Sequence, residues 1–275
     1  MAARLDPRTQ VADRLKKTGW KPYFDGGGVA LYHADGLDLL PDLPPDVVDA
    51  VITDPPYSSG GATIAERQRD PAAKYCQDGD AKGRPSFGGD QLDQRSYGYW
   101  GTLWTRLVHR AMRPGGYFLC FSDWRQLPTQ TDILQAGGFV WRGTIVWDKG
   151  PSARAPHTGY ARHQAEYVIW GTKGRCERAD GRGPFAGVVS ESVRRSEKRH
   201  MTGKPVALMR RLGAIAPPGG LILDPFAGSA TTLVAAILEG RQAIAIERSE
   251  AYCEIGAEWC RNVLERGEDA VARAA

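Results

Sequence analysis

The sequence has no CxxC pair, no internal repeat and no long apolar run. Its five cysteines (Cys76, Cys120, Cys176, Cys253 and Cys260) are scattered and odd in number, which argues against a disulfide framework and fits a reducing compartment. Cys253 and Cys260 stand on one expected helix, where core packing explains them better than metal binding, and no metal is expected. No stretch reaches the roughly 18 to 20 apolar residues of a membrane-spanning helix, and the opening MAARLDPRTQVADRLKK lacks the apolar centre of a signal peptide. A cytoplasmic location, nucleoid-associated when a polyanion is bound, with no membrane contact, is expected. Neither GxGxxG nor GK[ST] opens a helix, which argues against dinucleotide and P-loop phosphate binding. Net charge is only +4, but eleven of the Lys/Arg fall between residues 171 and 211 against four Asp/Glu. A block of that kind is either a solvated face or a footprint for a polyanion.

What is present is alternation. From Val29 onward, β-rich runs alternate with stretches carrying apolar residues at helical spacing, which predicts a largely parallel sheet with crossover helices. Seven strands are expected: Val29 to Ala34, Val48 to Thr53, Gly116 to Phe121, Phe139 to Trp147, Glu166 to Trp170, Leu221 to Leu223 and Gln242 to Ile246. Helices are expected over Gln126 to Ala136, Pro205 to Ala216, Ala230 to Glu239 and Glu250 to Leu264, with another inside Leu92 to Met112. Trp147 and Trp170 read as core aromatics and His109 as structural. Two segments break the pattern, Ser58 to Gln91 and Gly171 to His200, and long irregular segments inside a compact domain are commonly functional loops.

Two motifs carry chemistry. The strand Val51-Ile52-Thr53 runs into Asp54-Pro55-Pro56-Tyr57, at the carboxyl end of a strand, where ligands of open α/β sheets gather. The prolines hold a rigid turn and leave backbone carbonyls free to accept hydrogen bonds, and Asp54 adds a further acceptor. Acceptors that hold both N–H bonds of an exocyclic base amine favour a pyramidal nitrogen and stabilise the charge it develops during attack. Tyr57 offers a face on which an extruded base can stack, a contact worth roughly 1 to 3 kcal/mol. The second motif is Leu221-Ile222-Leu223-Asp224-Pro225-Phe226-Ala227-Gly228-Ser229-Ala230-Thr231-Thr232, followed by the strand Gln242 to Ile246 and Glu247. A strand, a small-residue turn, a helix and a second strand closed by an acid is a nucleoside-binding pattern, in which the acid takes ribose hydroxyls.

In this order the two motifs resemble the amino-methyltransferases of DNA, whose catalytic motif has the form [DNS]PP[YFW] and whose cofactor motif in one group reads DPFxGSGT. Because the catalytic motif precedes the cofactor motif, the chain is similar to the circularly permuted β group. Further matches run from Leu31-Tyr32-His33-Ala34-Asp35-Gly36 to Val48-Asp49, then through Ile145-Val146-Trp147-Asp148-Lys149 and His163-Gln164-Ala165-Glu166 to His200-Met201-Thr202-Gly203-Lys204-Pro205. Ala230 stands where the group has its second glycine, and Ala34 where its opening has glycine.

The resemblance implies a doubly wound α/β fold, S-adenosylmethionine as cofactor and double-stranded DNA as substrate. It implies that Asp54 and the Pro55 carbonyl hold the target amine, with Pro56 shaping the turn and Tyr57 stacking on the base. Asp224, Pro225, Phe226, Gly228 and Ser229 would line the cofactor and Glu247 would hold its ribose. Thr202 and Lys204 would lie near its methionine end, and Asp35 and Gly36 near its junction with the base. The block 171–200 falls where the group carries target recognition, making Arg175, Arg178, Arg182, Arg194, Arg195, Lys198 and Arg199 candidates for DNA contacts. The expected organisation is an N-terminal extension over 1–28, a methyltransferase domain over 29–265 with a mobile loop at 58–91, and a tail from 266 to 275. An aspartate opening the catalytic motif points to adenine N6, and cytosine N4 is the alternative. A DNA-binding protein that senses the cofactor without catalysis is the reading from another class, although such a protein would be expected to lose the acid or the aromatic. A homodimer and a cognate restriction endonuclease are further expectations of the group.

Overall fold

The computed structural model describes residues 6–58, 91–151, 153, 155, 157–176, 181–192 and 203–271. Strands β1 (Phe24–Gly26), β2 (Val29–His33), β3 (Val48–Thr53), β4 (Met112–Ser122), β5 (Val140–Asp148), β6 (Ala165–Thr172), β7 (Val188–Ser190), β8 (Leu221–Asp224) and β9 (Gln242–Glu247) form one sheet in the order β1-β2-β9-β8-β3-β4-β6-β5-β7. All seven expected strands are there. The two additional ones are three-residue strands at the outer edges, too short for a period to show in sequence. Neighbours from β2 to β4 are parallel, whereas β6 runs antiparallel to both β4 and β5. The carboxyl ends of β2, β9, β8, β3 and β4 therefore share one edge with the amino end of β6.

Helices α1 (Pro7–Lys17), α2 (Gly36–Leu39), α3 (Gln94–Ala111) and α4 (Leu127–Ala136) cover one face, and α5 (Val206–Gly213), α6 (Thr231–Leu238) and α7 (Glu250–Arg266) cover the other. Alternate residues of one strand feed opposite cores. In β9, Ala243 and Ala245 join the α5–α7 core while Ile244 and Ile246 join the α1–α4 core. Burial on both faces is why the central strands read as continuous apolar runs. Cys253 and Cys260 are fully buried in the α7 core, and Trp147 lies in the same core.

The stretch expected as an N-terminal extension contributes to this core: Val11 and Leu15 of α1 are fully buried, and β1 pairs with β2. Asp6 caps α1 by accepting the Thr9 N–H at 2.9 Å, with Pro7 in the first turn. The expected tail also joins the fold in part, since α7 reaches Arg266 and a 3-10 turn over Gly267–Ala270 buries Ala270. At the amino-terminal edge, buried Asp49 accepts the Leu221 N–H at 2.8 Å and pairs with Arg113 at 2.5 Å, pinning β8 beside β3.

Candidate active site

Strands β3 and β8 are neighbours, so the two sequence motifs, more than 160 residues apart in the chain, emerge side by side at the carboxyl edge. A hydrogen bond from the Thr53 hydroxyl to Asp224 Oδ1 at 2.8 Å joins the two turns. Asp224 is buried and its oxygens also accept the Phe226 N–H at 3.1 Å and the Thr232 hydroxyl at 2.5 Å. Burial pushes its pKa up to about 6, against the pull of these hydrogen bonds. Asp224 thus shapes the cofactor turn from within, and its carboxylate is taken up by protein donors.

Around that turn the structure gathers the other expected cofactor residues. Asp35 caps α2 through the Leu37 N–H at 2.9 Å, and Gly36 packs beneath the Pro225 carbonyl, which its own missing Cβ would meet at 3.6 Å. The Ala34 N–H donates to the Glu247 carbonyl at 3.0 Å, joining β2 to the end of β9. The Glu247 carboxylate accepts the Gly228 N–H and the Ser249 N–H, each at 2.8 Å. Burial raises its pKa, and these two N–H donors restrain the rise. Each carboxylate oxygen keeps lone-pair capacity for a hydroxyl donor. Pro225 and Ser229 are buried supports, whereas Phe226 and Gly228 are half-exposed. Phe226 is held edge-on by Trp104 at 5.1 Å. A half-exposed aromatic ring, a turn of small residues and an acceptor-rich acid fit an adenosyl group.

Ala230, the departure from the glycine of the motif, has φ +66°, a left-handed conformation that costs a side-chain-bearing residue of order 1 kcal/mol. Room for its Cβ comes from Gly256 on α7, where an added Cβ would lie 2.8 Å from that of Ala230. The close approach of helix and turn is kept because α7 has no Cβ at this contact.

The catalytic motif is built differently. Asp54 is half-buried, and its partners are side chains: Tyr57 donates its hydroxyl to Oδ1 at 2.5 Å and Lys204 Nζ donates to Oδ2 at 2.5 Å. Glu166, on β6, accepts from Lys204 at 3.0 Å and lies 2.9 Å from the Tyr57 hydroxyl, an alternative acceptor for its one proton. Lys149 lies 3.4 Å from its other oxygen. One buried lysine cannot neutralise two carboxylates. Burial drives Glu166 upward, but Lys204 and Lys149 outweigh it and hold its pKa below the ordinary value. Burial also drives Asp54 upward, and with Glu166 beside it the single lysine does not reverse the shift. Lys204, despite its burial, is raised by the two acids and stays charged. Gln126 completes the frame by donating to the Tyr57 carbonyl at 2.7 Å.

Lys204, expected near the methionine end of the cofactor, is thus in direct contact with the catalytic carboxylate. Glu166, Lys149 and Gln126 were not among the expected site residues. Lys149 and Glu166 do close two of the stretches that match the family, Ile145 to Lys149 and His163 to Glu166, whereas Gln126 has no signal beyond an amide at the start of a helix. Arg175 and Arg182 are not brought to the site. Arg175 follows the carboxyl end of β6, where Thr172 lies opposite Tyr117 at the amino-terminal edge, and Arg182 donates to the Ile215 carbonyl at 2.9 Å. The antiparallel run of β6 carries this part of the basic block away from Asp54. Thr202, Arg178, Arg194, Arg195, Lys198, Arg199 and the interior of the 58–91 segment lie outside the described residues. Among the described residues no group of His, Cys, Asp and Glu is arranged to hold a metal, and no helix is long and apolar enough to cross a membrane.

A sequence model of the N6/N4 family of DNA methylases matches residues 48–258, and the chain belongs to that family. It is 27% identical to the type II methyltransferase M.ScaI of Streptomyces caespitosus, covering 90% of this chain and 86% of that protein. It is 28% identical to the type II methyltransferase M2.DpnII of Streptococcus pneumoniae, covering 86% and 90%. Among solved structures it is similar to the cytosine-N4-specific PvuII DNA methyltransferase, with TM-score 0.65, 19% identity and 87% and 88% coverage. It is also similar to M1.HpyAVI in complex with S-adenosylmethionine, with TM-score 0.58, 22% identity and 84% and 98% coverage. At these identities the structural likeness establishes the fold. Family membership makes the chain an S-adenosylmethionine-dependent DNA methyltransferase that modifies an exocyclic base amine, adenine N6 or cytosine N4.

Proposed function

We propose that the chain methylates adenine N6 at a short specific site in double-stranded DNA, with Asp54 as the residue that orients the amine. The observation that carries this reading is the aspartate itself, half-buried at the end of β3 beside the cofactor turn and held by side chains that have a second acceptor in Glu166. An aspartate in this position is the form associated with adenine in the resemblance above.

S-adenosylmethionine, when bound along Phe226, Gly228 and Glu247, supplies an electrophilic methyl group on sulfonium sulfur. The protein's task is to present a weak nucleophile to it. Extrusion of the base is needed because a stacked amine is out of reach. Tyr57 stacks on the extruded ring while Asp54 and the Pro55 carbonyl accept the two amine N–H bonds. Asp54 can do so because Lys204 keeps its contact with Glu166 and Tyr57 can turn its one hydroxyl proton to Glu166 when they let go of it. The amine lone pair would take the methyl group, the S–C electron pair would remain on the cofactor sulfur, and Asp54 would receive the amine proton. No covalent enzyme intermediate is required.

The same proposal takes Arg194, Arg195, Lys198 and Arg199, which follow β7 in the sequence, as the part of the 171–200 block that meets DNA. It takes 58–91 as the loop that closes over it. The permuted motif order, a homodimer, a partner endonuclease and a cytoplasmic location belong to this reading as well. Incubation of the purified protein with unmethylated DNA and S-adenosylmethionine, followed by nucleoside mass spectrometry, tests it. N6-methyladenine is expected, and N4-methylcytosine alone would overturn the choice of base while leaving the chemistry.

A further inference from the structure

The chain has eight tryptophans, and Trp104, Trp147 and Trp259 are 1 to 2% exposed. Trp124 is 52% exposed. An indole of that size left in water forgoes much of the stabilisation its burial would give, so its position calls for a partner. It stands in Asp123-Trp124-Arg125-Gln126, the segment that follows β4. Because Thr53 lies opposite Cys120 in the parallel ladder, this segment emerges beside the catalytic motif.

The segment is held firmly. Asp123 Oδ1 accepts the Arg125 N–H at 3.1 Å and the Gln126 N–H at 3.0 Å, closing a tight turn. Gln126 donates to the Tyr57 carbonyl at 2.7 Å and accepts from Gln94 at 2.8 Å, tying the turn to the catalytic motif on one side and to α3 on the other. The guanidinium of Arg125 lies 4.8 Å over the Trp124 ring, fixing the indole and adding positive charge beside it. The neighbouring β5–β6 connection meets the same edge. It has no acid between Lys149 and Gln164, and it exposes 58% of Tyr160.

We infer that Trp124, braced by Arg125, stacks on a base of the DNA duplex beside the Asp54–Tyr57 turn. The inference rests on the reading that DNA enters from the carboxyl edge. A flat aromatic gains most from a π-face, and an extruded nucleotide leaves such faces uncovered on its neighbours. A pre-formed turn presents the ring without an ordering cost at the moment of binding, and the local charge suits the flanking phosphates.

The test uses the full-length protein and an unmethylated DNA duplex, with binding followed by fluorescence anisotropy. Trp124→Ala is expected to weaken DNA binding by roughly 5- to 100-fold, the range for loss of one base–aromatic stack. Trp124→Phe is expected to lose less than about threefold. Calorimetric affinity for S-adenosylmethionine should be unchanged in both. DNA should quench part of the intrinsic fluorescence of the native protein, and Trp124→Phe should lack that part. Trp124→Ala binding DNA within about twofold of the native protein, or full quenching retained in Trp124→Phe, overturns the inference. A native protein that binds no DNA sinks both readings. One that binds DNA through Trp124 without methylating it leaves this inference standing and removes the catalytic one.

Discussion

The dipeptide Asp-Pro closes two adjacent strands of this sheet, β3 and β8, and the two aspartates have opposite fates. Asp224 is 3% exposed and its oxygens are held by Thr53, Thr232 and the Phe226 N–H, groups fixed by the fold itself. Asp54 is half-buried and held by Lys204 and Tyr57, each of which also reaches Glu166. The first carboxylate is part of the frame. In the proposed mechanism the second is the working acid, because Lys204 and the Tyr57 hydroxyl have Glu166 as an alternative acceptor. Both residues end a strand at the same edge, and what separates them is their donors: side chains and a backbone N–H of the two turns for Asp224, and side chains shared with a second carboxylate for Asp54.

Changing Asp54 should give the largest effect. Asp54→Asn keeps the shape and one acceptor but loses the charge that stabilises the developing cation, and turnover should fall by about 100-fold or more. Affinity for S-adenosylmethionine, measured by calorimetry, should stay within a few-fold. Wild-type turnover in this variant would remove Asp54 from the mechanism.

Glu166→Gln should sharpen the comparison. Without the second carboxylate, Lys204 binds Asp54 alone and releases it less readily, so kcat should fall by about 10- to 100-fold. Loss of the neighbouring negative charge lowers the Asp54 pKa. Since Asp54 must be ionised to accept the amine, activity rises as pH rises through that pKa, and the acidic limb of the kcat profile should move to lower pH. A purely packing role for Glu166 predicts a lower kcat with the limb in place.

Asp224→Asn should have the smallest effect on catalysis and an informative one on stability. The folded pKa of about 6 lies above the ordinary 3.8, so the native state binds this proton more tightly than the unfolded chain does. By linkage the contribution favours folding fully at pH below about 4 and fades as pH rises through about 6. Asparagine does not titrate, so the variant's stability relative to the native protein should increase between pH 4 and 7, by on the order of 1 to 3 kcal/mol. Thermal melts across that range check the sign. A relative stability that declines with pH would mean that Asp224 is better stabilised as an anion than its burial implies.

Much of the molecule was legible from local pattern. The seven main strands follow from apolar runs bounded by turn residues, and α4 to α7 from helical spacing, because both signals are written over consecutive residues. The two Asp-Pro turns after β3 and β8 were legible for the same reason, each lying within a dozen residues. The edge strands β1 and β7 were too short to show a period. Glu166, Lys149 and Gln126 were not legible as site residues, because what defines them is proximity to Asp54 and Tyr57 across β4 and β6.

The sequence by itself determined the fold class, the family and the two turns, since each depends on residue type at short spacing. Only the tertiary structure decided which charges meet. Strand β6 runs antiparallel, so Glu166 at its amino end reaches the catalytic edge while Arg175, beyond its carboxyl end, is carried to the opposite one. The segment Pro205–Gly213 packs so that Lys204, 150 residues from Asp54, becomes its nearest cation. Strand direction and long-range packing are set by burying both faces of the sheet, a property of the whole chain that no local window contains.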